Sequence, residues 1–505
     1  MQTIYDVLSW IDSNILWGIP VIALMVLAGI WLTIRTKFFQ VRRFNLSLKH
    51  TIGDSIKQMK KKEKKSDNPN AITPFEAFST AVSGTVGTGN IVGVTTAIIS
   101  GGPGAVFWMW VSAFFGCVTK YSEITLGMYY RKKDDKGEFI GGPMYYIQNG
   151  LKCKWLAIMF AVFTILAAIG MGSVQADTIQ KTFNSAFAMP TWATALIIAF
   201  FVSLVIIGGI KRIGKVTSIM VPFMAILFVI LAIILVCINI TAVPAALGSI
   251  FTSAFTAKSL LGGFMGYGIA QAMRYGFARG VFSNEAGLGS SSIAHATSSN
   301  VEPVKQGFWG IFEVFLDTFV ICTLTALFVL TSGIDGNSVG DGARVAMSAF
   351  GNNLGVFGTV CYCIILPLFA FSTILAWAVY GSKSAQYLFN KHQKASKLTF
   401  NIVYIAIIVG IALLTFFCGE NLGSDFVWLI SDMTNALMAI PNLIALVLLS
   451  GTLIKITKNY FDRKKGLPVM PMLSAYSDIE VIDEKIETEN AKLYDLKTDS
   501  EKEEK

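Results

Sequence analysis

Long apolar runs separated by short polar loops make up most of the chain. Eleven of them can cross a hydrocarbon core of roughly 30 Å. They lie near 15–34, 72–100, 104–129, 155–178, 191–209, 216–240, 260–280, 307–331, 356–380, 399–417 and 426–450. This pattern predicts an all-α polytopic membrane protein with about eleven transmembrane helices. One run is interrupted. Between apolar helix formers on either side, Ser83-Gly84-Thr85-Val86-Gly87-Thr88-Gly89-Asn90-Ile91-Val92-Gly93 carries four glycines with interleaved threonines. Gly costs roughly 1 kcal/mol in a helix interior. Irregular backbone at membrane depth is tolerated only inside protein or along a cavity, because hydrocarbon cannot satisfy the freed N–H and C=O groups. A broken helix is expected here, and with it a binding site.

The odd number of runs implies an internal symmetry. With the first set aside as accessory, ten remain as two fives of opposite orientation. Inverted repeats often carry discontinuous helices at corresponding positions, so the second repeat should be broken in its first helix. Two stretches qualify: Gly262 to Gly268, and Arg279-Gly280-Val281-Phe282-Ser283-Asn284-Glu285-Ala286-Gly287. Close helix packing accounts for the small residues of the first, so the second is preferred. There Ser283 or Asn284 is expected to cap a following half-helix that carries Glu285 in its first turn. The expected organisation is an extracellular N-terminus with accessory helix (1–34), a basic cytoplasmic loop (35–71), a first repeat (72–240), a second repeat (241–453) and a largely disordered cytoplasmic tail (454–505).

Composition supports the membrane class: of 505 residues, 53% are hydrophobic and 14% charged. The net charge of +9 does not point to nucleic acid, because Lys and Arg concentrate in alternate loops. These hold Arg35 to Lys65, Arg131 to Lys133, Lys211 to Lys215, Lys383 to Lys397 and Lys455 to Lys465. The positive-inside bias then places the N-terminus outside and the C-terminus in the cytoplasm. The Lys60 to Lys65 run reads as a solvated topogenic cluster rather than a lipid-headgroup site. Seven cysteines fall mostly in apolar runs without CxxC spacing, as small buried residues rather than zinc ligands or a disulfide framework. The first run is too long for a signal h-region, so no cleavable signal is expected.

Several motifs carry a family resemblance. Gly101-Gly102-Pro103-Gly104-Ala105-Val106-Phe107-Trp108-Met109-Trp110 resembles the signature of the alanine or glycine:cation symporter family, the sodium:alanine symporters. The likeness continues through Gly87-Thr88-Gly89-Asn90, Gly141 to Tyr145, Gly208 to Lys211, Phe282 to Gly289 and Ala439 to Asn442. It implies a LeuT-type fold of two inverted five-helix repeats after an extra helix, and Na+-driven uptake of small neutral amino acids such as alanine and glycine. It also favours a second break at Phe282 to Glu285.

The chemistry agrees. Half-helix termini offer a zwitterion both poles: free N–H groups near Thr88 for the carboxylate, and carbonyls ending the preceding half-helix for the ammonium. The expected substrate site holds Thr85, Gly87, Thr88, Gly89, Asn90, Gln175, Phe282 and Trp377, with Asn90 and Gln175 placed there by the resemblance. Trp377, Phe282 and Gln175 are expected to wall the side chain. In Phe369-Ala370-Phe371-Ser372-Thr373, adjacent hydroxyls in an apolar helix add two oxygens to backbone carbonyls of Ser83, Val86 and Phe369, a hard set suited to Na+. The competing reading is hydroxyls bonded back to their own helix. The resemblance favours the cation reading, and with it Na+ as the expected coupling ion, with no organic cofactor.

Ionisable residues inside spans are functional suspects. Lys120 and Glu123 are expected to pair with each other; Asp177, Arg274, Glu313, Asp317 and Asp432 are assigned to packing pairs and gating contacts. His50, His295 and His392 read as loop or helix-end residues, so no histidine shuttle is indicated. A channel would want a repeated pore loop or charge ring, and an enzyme a metal or nucleophile constellation. Neither pattern is visible. A secondary transporter is the expected function, with H+ coupling as the alternative to Na+, partnered by its amino acid and the lipid bilayer.

Overall fold

A computed structural model describes residues 2–56, 71–134, 137–256, 265–334, 341–418 and 420–476. The Lys60 to Lys65 run, the glycines at 262 and 263 and the chain beyond Tyr476 lie outside the described residues. Within the described residues, each of the eleven apolar runs is helical along most of its length. In chain order these are α1 (Ile19–Arg35), α2 (Pro74–Thr85) and α3 (Val94–Gly101) joined through a wide turn at Gly89–Gly93, α4 (Gly104–Tyr129), α5 (Lys154–Phe187), α6 (Thr191–Ile206) and α7 (Gly209–Ile238). The second half has α8 (Met265–Asn284), α9 (Ser290–His295), α10 (Pro303–Val314), α11 (Thr323–Thr331), α12 (Gly342–Leu388), α13 (Gln393–Cys418), α14 (Glu420–Leu448) and α15 (Ser450–Lys464). Among the described residues, seven helices are long and apolar enough to cross a membrane, or eight if the bent pair α2–α3 counts as one span. The remaining expected spans are helices of another kind: α4 carries Lys120 and Glu123, α6 has 16 residues, and α8 carries Arg274 and Arg279.

At roughly 1.5 Å per residue, the 47 residues of α12 are too many for one span. Gly355 (φ 60°, ψ −144°) divides them, and the hydroxyl of Tyr362 donates to the carbonyl of Ala343 at 2.9 Å. The stretch 342–354 is therefore folded back beside the span 356–388. Small residues let helix backbones approach, as expected where lipid supplies no hydrophobic drive between helices. A Cβ on Gly276 of α8 would sit 2.5 Å from the Ala105 carbonyl of α4, and one on Gly310 of α10 would sit 3.1 Å from Lys120 of the same helix.

The basic loops meet at one end of the bundle. Arg43 lies 4.4 Å over the Phe461 ring, Arg463 pairs with Glu302 at 2.8 Å, and Lys383 pairs with Glu138 at 3.1 Å. Arg131 donates to the carbonyls of Ala296, Ser298 and Asn300. Order reaches further into the flanking segments than expected. α15 continues to Lys464 because Leu453, Ile456 and Tyr460 give it a buried face, and the Ala475 N–H donates to Tyr129 at 2.9 Å. Cysteines are less uniform than expected: Cys117, Cys322 and Cys363 are buried, but Cys237 is exposed.

Candidate functional site

Break one begins with a well-defined helix start. Thr73 and Glu76 form a reciprocal capping box, with Pro74 in the first turn. α2 stops at Thr85, Val86 leaves helical geometry (φ −80°, ψ 89°), and α2 and the stretch Gly89–Gly101 are bent by 44°. The glycines let other chains approach the opened backbone: a Cβ on Gly87 would sit 2.4 Å from Thr373 Oγ1 and 3.5 Å from Gln175 Oε1. Two of the freed N–H groups are caught by side chains. The Gly87 N–H donates to Asn90 Oδ1 at 2.8 Å, and the Thr88 N–H donates to Gln175 Oε1 at 3.2 Å. Thr88 Oγ1 is buried without a partner.

Break two lies in the preferred stretch, but its local structure differs from expectation. α8 continues through Ser283 and Asn284, so neither caps the next half-helix. Glu285 instead turns left-handed (φ 54°), followed by Gly287 (φ 97°) and Gly289 (φ 79°), before α9 begins at Ser290. Ser283 and Asn284 are held by other partners. Ser283 Oγ donates to Asp317 Oδ2 at 2.9 Å, while Asn284 Oδ1 accepts from the Ala286 N–H at 3.0 Å and its Nδ2 donates to Thr318 at 3.1 Å. Glu123 Oε1 accepts from the N–H groups of Gly287 (2.9 Å) and Gly289 (3.1 Å) and from Asn442 Nδ2 (2.7 Å). This α4 carboxylate satisfies the opened backbone of α8–α9 as a capping side chain does for a helix end.

One carboxylate ties the two breaks together. Asp317 accepts from Asn90 Nδ2 at 2.6 Å, from Ser283 and, at 2.8 Å, from Thr318. Lys120 pairs with Glu313 at 3.3 Å, not with Glu123, because its ammonium is drawn to the last carbonyl of α8, Asn284 O, at 2.7 Å. His295 is fully buried rather than at a loop surface, with Nε2 3.3 Å from Glu313 and Nδ1 2.8 Å from Gln306 Nε2. Asp317 and Glu123, which the sequence reading left among packing residues, and Asn284, expected there only as a cap, are thus structural members of the site. Their signal was ionisable or amide chemistry inside an apolar span.

The expected cation ligands largely converge. Thr373 Oγ1 donates to the carbonyls of Ser83 (2.9 Å) and Phe369 (3.1 Å), and Ser372 Oγ to Phe369 (2.8 Å) and Ser83 (3.4 Å). Two hydroxyls and two carbonyls from α2 and α12 share one buried point: the bonds to Phe369 are the return to the hydroxyls' own helix that the competing reading expects, and those to Ser83 complete a set of hard oxygens that fits Na+. Val86 is buried at the bend, but no contact links its carbonyl to this group among the described interactions. Of the expected side-chain wall, Gln175 lies at break one, and Phe282 sits over it: a Cβ on Gly89 would lie 3.1 Å from Phe282 Cδ1. Phe282 stacks on Trp428 with centroids 5.6 Å apart, and Arg279, 5.4 Å over Phe282, is fixed by Asp432 at 2.8 Å. Trp377, one turn beyond Thr373, packs edge-on to Tyr380 at 5.4 Å and turns its indole N–H toward Glu285 at break two.

With this geometry in view, likeness to known proteins can be weighed. Residues 1–471 match the family described as the sodium:alanine symporter family. An uncharacterized transporter of Haemophilus influenzae is 42% identical over 467 residues, covering 92% of this chain and 98% of that protein. The sodium/alanine symporter AgcS of Methanococcus maripaludis is 39% identical, covering 90% and 97%. The probable sodium/glutamine symporter GlnT of Bacillus subtilis is 34% identical, covering 98% and 100%. In fold, the chain resembles MhsT, crystallised with L-phenylalanine, with a TM-score of 0.54 at 14% identity over 77% of this chain and 98% of that one. It also resembles a manganese transporter of Eremococcus coleocola, with a TM-score of 0.55 at 12% identity over 77% and 81%. The architecture is accordingly the LeuT-type fold.

Proposed function

The chain belongs to the sodium:alanine symporter family of amino-acid transporters, and from that premise we propose that it carries small neutral amino acids into the cell by Na+-coupled symport and alternating access. The convergence of Ser372, Thr373, Ser83 and Phe369 beside Gly87 is the observation that carries this reading. It sets a hard-oxygen cation group directly against the opened backbone of break one, where the Gly87 and Thr88 N–H groups would exchange their bonds to Asn90 and Gln175 for a substrate carboxylate. Thr85, Gly87, Thr88, Gly89 and Asn90 would hold the amino and carboxyl ends. Gln175 and Phe282 would bound the side chain, and Trp377 would close the pocket from the turn beyond. Val86 would add a carbonyl to the cation group when Na+ is present. The relatives named above include a sodium/alanine symporter and a probable sodium/glutamine symporter; the close approach of Phe282 favours the smaller substrates. The basic end of the bundle would face the cytoplasm, leaving the N-terminus outside.

The test is uptake of labelled alanine into proteoliposomes. Accumulation should require Na+, and Thr373→Ala should raise the Na+ half-saturation more than it changes the order of competing amino acids. Full accumulation in Na+-free buffer with a pH gradient alone overturns Na+ coupling in favour of H+. Unchanged Na+ dependence in the variant removes Thr373 from the cation group.

A further inference from the structure

Away from both breaks, a groove of about 740 Å³ runs between α6 and α13 on the outside of the bundle. Lys394, Lys397, Leu398, Asn401, Ile402 and Ile405 line its α13 side, and steps of three and four residues put them on one helical face. Its apolar walls are open: Ile207 at the α6 end is 81% exposed, Leu398 62% and Ile402 59%. In a membrane-spanning chain such walls face acyl chains. The groove's cationic rim lies at the basic end of the bundle, where an adjoining hollow adds Lys391 and His392. A Cβ on Gly209 would sit 3.2 Å from Lys397 Nζ, which places that ammonium beside the start of α7 and its Lys211 and Arg212. The acidic residues of this hollow are Asp134 and Glu138, and Glu138 is paired with Lys383 at 3.1 Å. Roughly 6 Å deeper than Lys397, one helical turn along, Asn401 Oδ1 is buried with no hydrogen-bond partner.

We propose that this groove binds an anionic phospholipid, with its phosphate between Lys394 and Lys397 and an acyl chain along Ile402 and Ile405. The rim supplies positive charge at headgroup depth and the walls supply apolar surface below it; Asn401 Oδ1, an acceptor one turn deeper, is left for a water carried in with the lipid, since the phosphate and ester oxygens are themselves acceptors. A zwitterionic lipid would cover the same walls, but it would bring its own ammonium against the lysines. On the orientation proposed above, the site faces the inner leaflet, where basic pockets between helices recognise anionic headgroups. The inference stands independently of what the protein transports.

The experiment is native mass spectrometry of the full chain in detergent, with phosphatidylglycerol and phosphatidylcholine of identical acyl chains in competition. Wild type should retain phosphatidylglycerol preferentially. Each lysine near a membrane surface is worth a factor of about five, so Lys394→Gln with Lys397→Gln should lower retention about thirty-fold. Lys455→Gln with Lys458→Gln, on α15 and outside the groove, should leave retention unchanged. Ala406→Trp should displace the lipid with both lysines in place. Equal retention of the two lipids by wild type overturns the proposal without any variant, and so does undiminished retention in the double variant at 394 and 397. Displacement by soluble glycerol phosphate as effectively as by phosphatidylglycerol would show a bare anion site and also overturns it.

Discussion

Position 87 is glycine because of what stands opposite it. An alanine there would bring Cβ to 2.4 Å from Thr373 Oγ1, so the hydroxyl or the bend must move. Gly87→Ala is expected to raise the Na+ half-saturation about tenfold or more, read by Na+-dependent thermal stabilisation of purified protein; an unchanged midpoint would separate Gly87 from the cation group. Size selection belongs at the same scale. Each methylene favours burial by roughly 0.8 kcal/mol, so a pocket preferring alanine to valine must exclude the larger chain sterically. Phe282, held over Gly89 by Trp428 and Arg279, is placed to do that. In competition against labelled alanine, Phe282→Ala should gain valine relative to alanine by about tenfold, the worth of two methylenes, while Trp377→Leu should change the rate more than the order of competitors. The reverse pattern would return the wall to Trp377. At this scale the glycine-threonine run around Gly87 and Thr88 and the adjacent hydroxyls of 372 and 373 were visible as local sequence patterns, and the structure brings them together; the roles expected of them leaned on the family resemblance. Which buried side chains face each other was not legible, because Lys120 reached Glu313 and left Glu123 for the backbone of break two.

Among the elements, the breaks depend on partners supplied by other helices. Glu123 Oε1 gathers two backbone N–H groups and Asn442, and Asn442 in turn accepts from the Tyr146 hydroxyl. Removing the carboxylate strands these donors, so Glu123→Ala is expected to cost about 3 kcal/mol, at roughly 1–3 kcal/mol for a buried group left unsatisfied. Denaturant unfolding in detergent would measure it, and a loss below about 1 kcal/mol would show that the break holds itself. The glycine-rich sequence announced break one, while break two was expected from the inverted repeat and placed by the family resemblance. The left-handed turn at Glu285 was not legible, since it is set by Glu123 from α4 and by Asn284 bonding forward to Ala286. The helical segments at 39–53 offer a pH test outside the membrane. His50 stacks on Phe308 (5.7 Å), with Nδ1 3.0 Å from Asp54 and Nε2 3.3 Å from Tyr460. Burial pushes its imidazole below the ordinary value, against the opposing effect of Asp54. A depressed histidine contributes fully above its unfolded-state value and loses that contribution as pH falls through the folded-state one. Acidification should therefore lower the melting temperature in wild type and do so less in His50→Gln; parallel pH profiles would remove His50 as the cause.

Across the whole molecule, opposite orientation of the two five-helix halves was read from loop charge, and the structure puts the basic loops together through Arg43–Phe461, Lys383–Glu138 and Arg463–Glu302. The folding back of 342–354 escaped the sequence reading because neither the conformation of Gly355 nor the bond from Tyr362 to Ala343 leaves a mark on the hydropathy pattern. An inverted pair of broken helices around a shared site is the architecture of a carrier that rocks about its substrate, not of an open pore. Breaks one and two are both buried: Thr85, Thr88, Asn90, Ser283 and Thr373 are at most 2% exposed. Such an occluded arrangement moves only what it encloses. If it encloses one Na+ and one zwitterionic amino acid, each cycle carries a single net positive charge. A membrane potential of 100 mV then supplies roughly 2.3 kcal/mol per cycle, a factor of about fifty in accumulation before any Na+ gradient is added. Alanine uptake into proteoliposomes with equal Na+ on both sides should therefore be driven by a valinomycin-imposed, inside-negative K+ diffusion potential and reversed by the opposite one. Unlabelled alanine trapped inside should accelerate entry of labelled alanine, as exchange through a shared site requires. Uptake indifferent to the imposed potential would mean that a counter-ion moves with the pair, and flux without counterflow would mean that the two breaks do not alternate around one site.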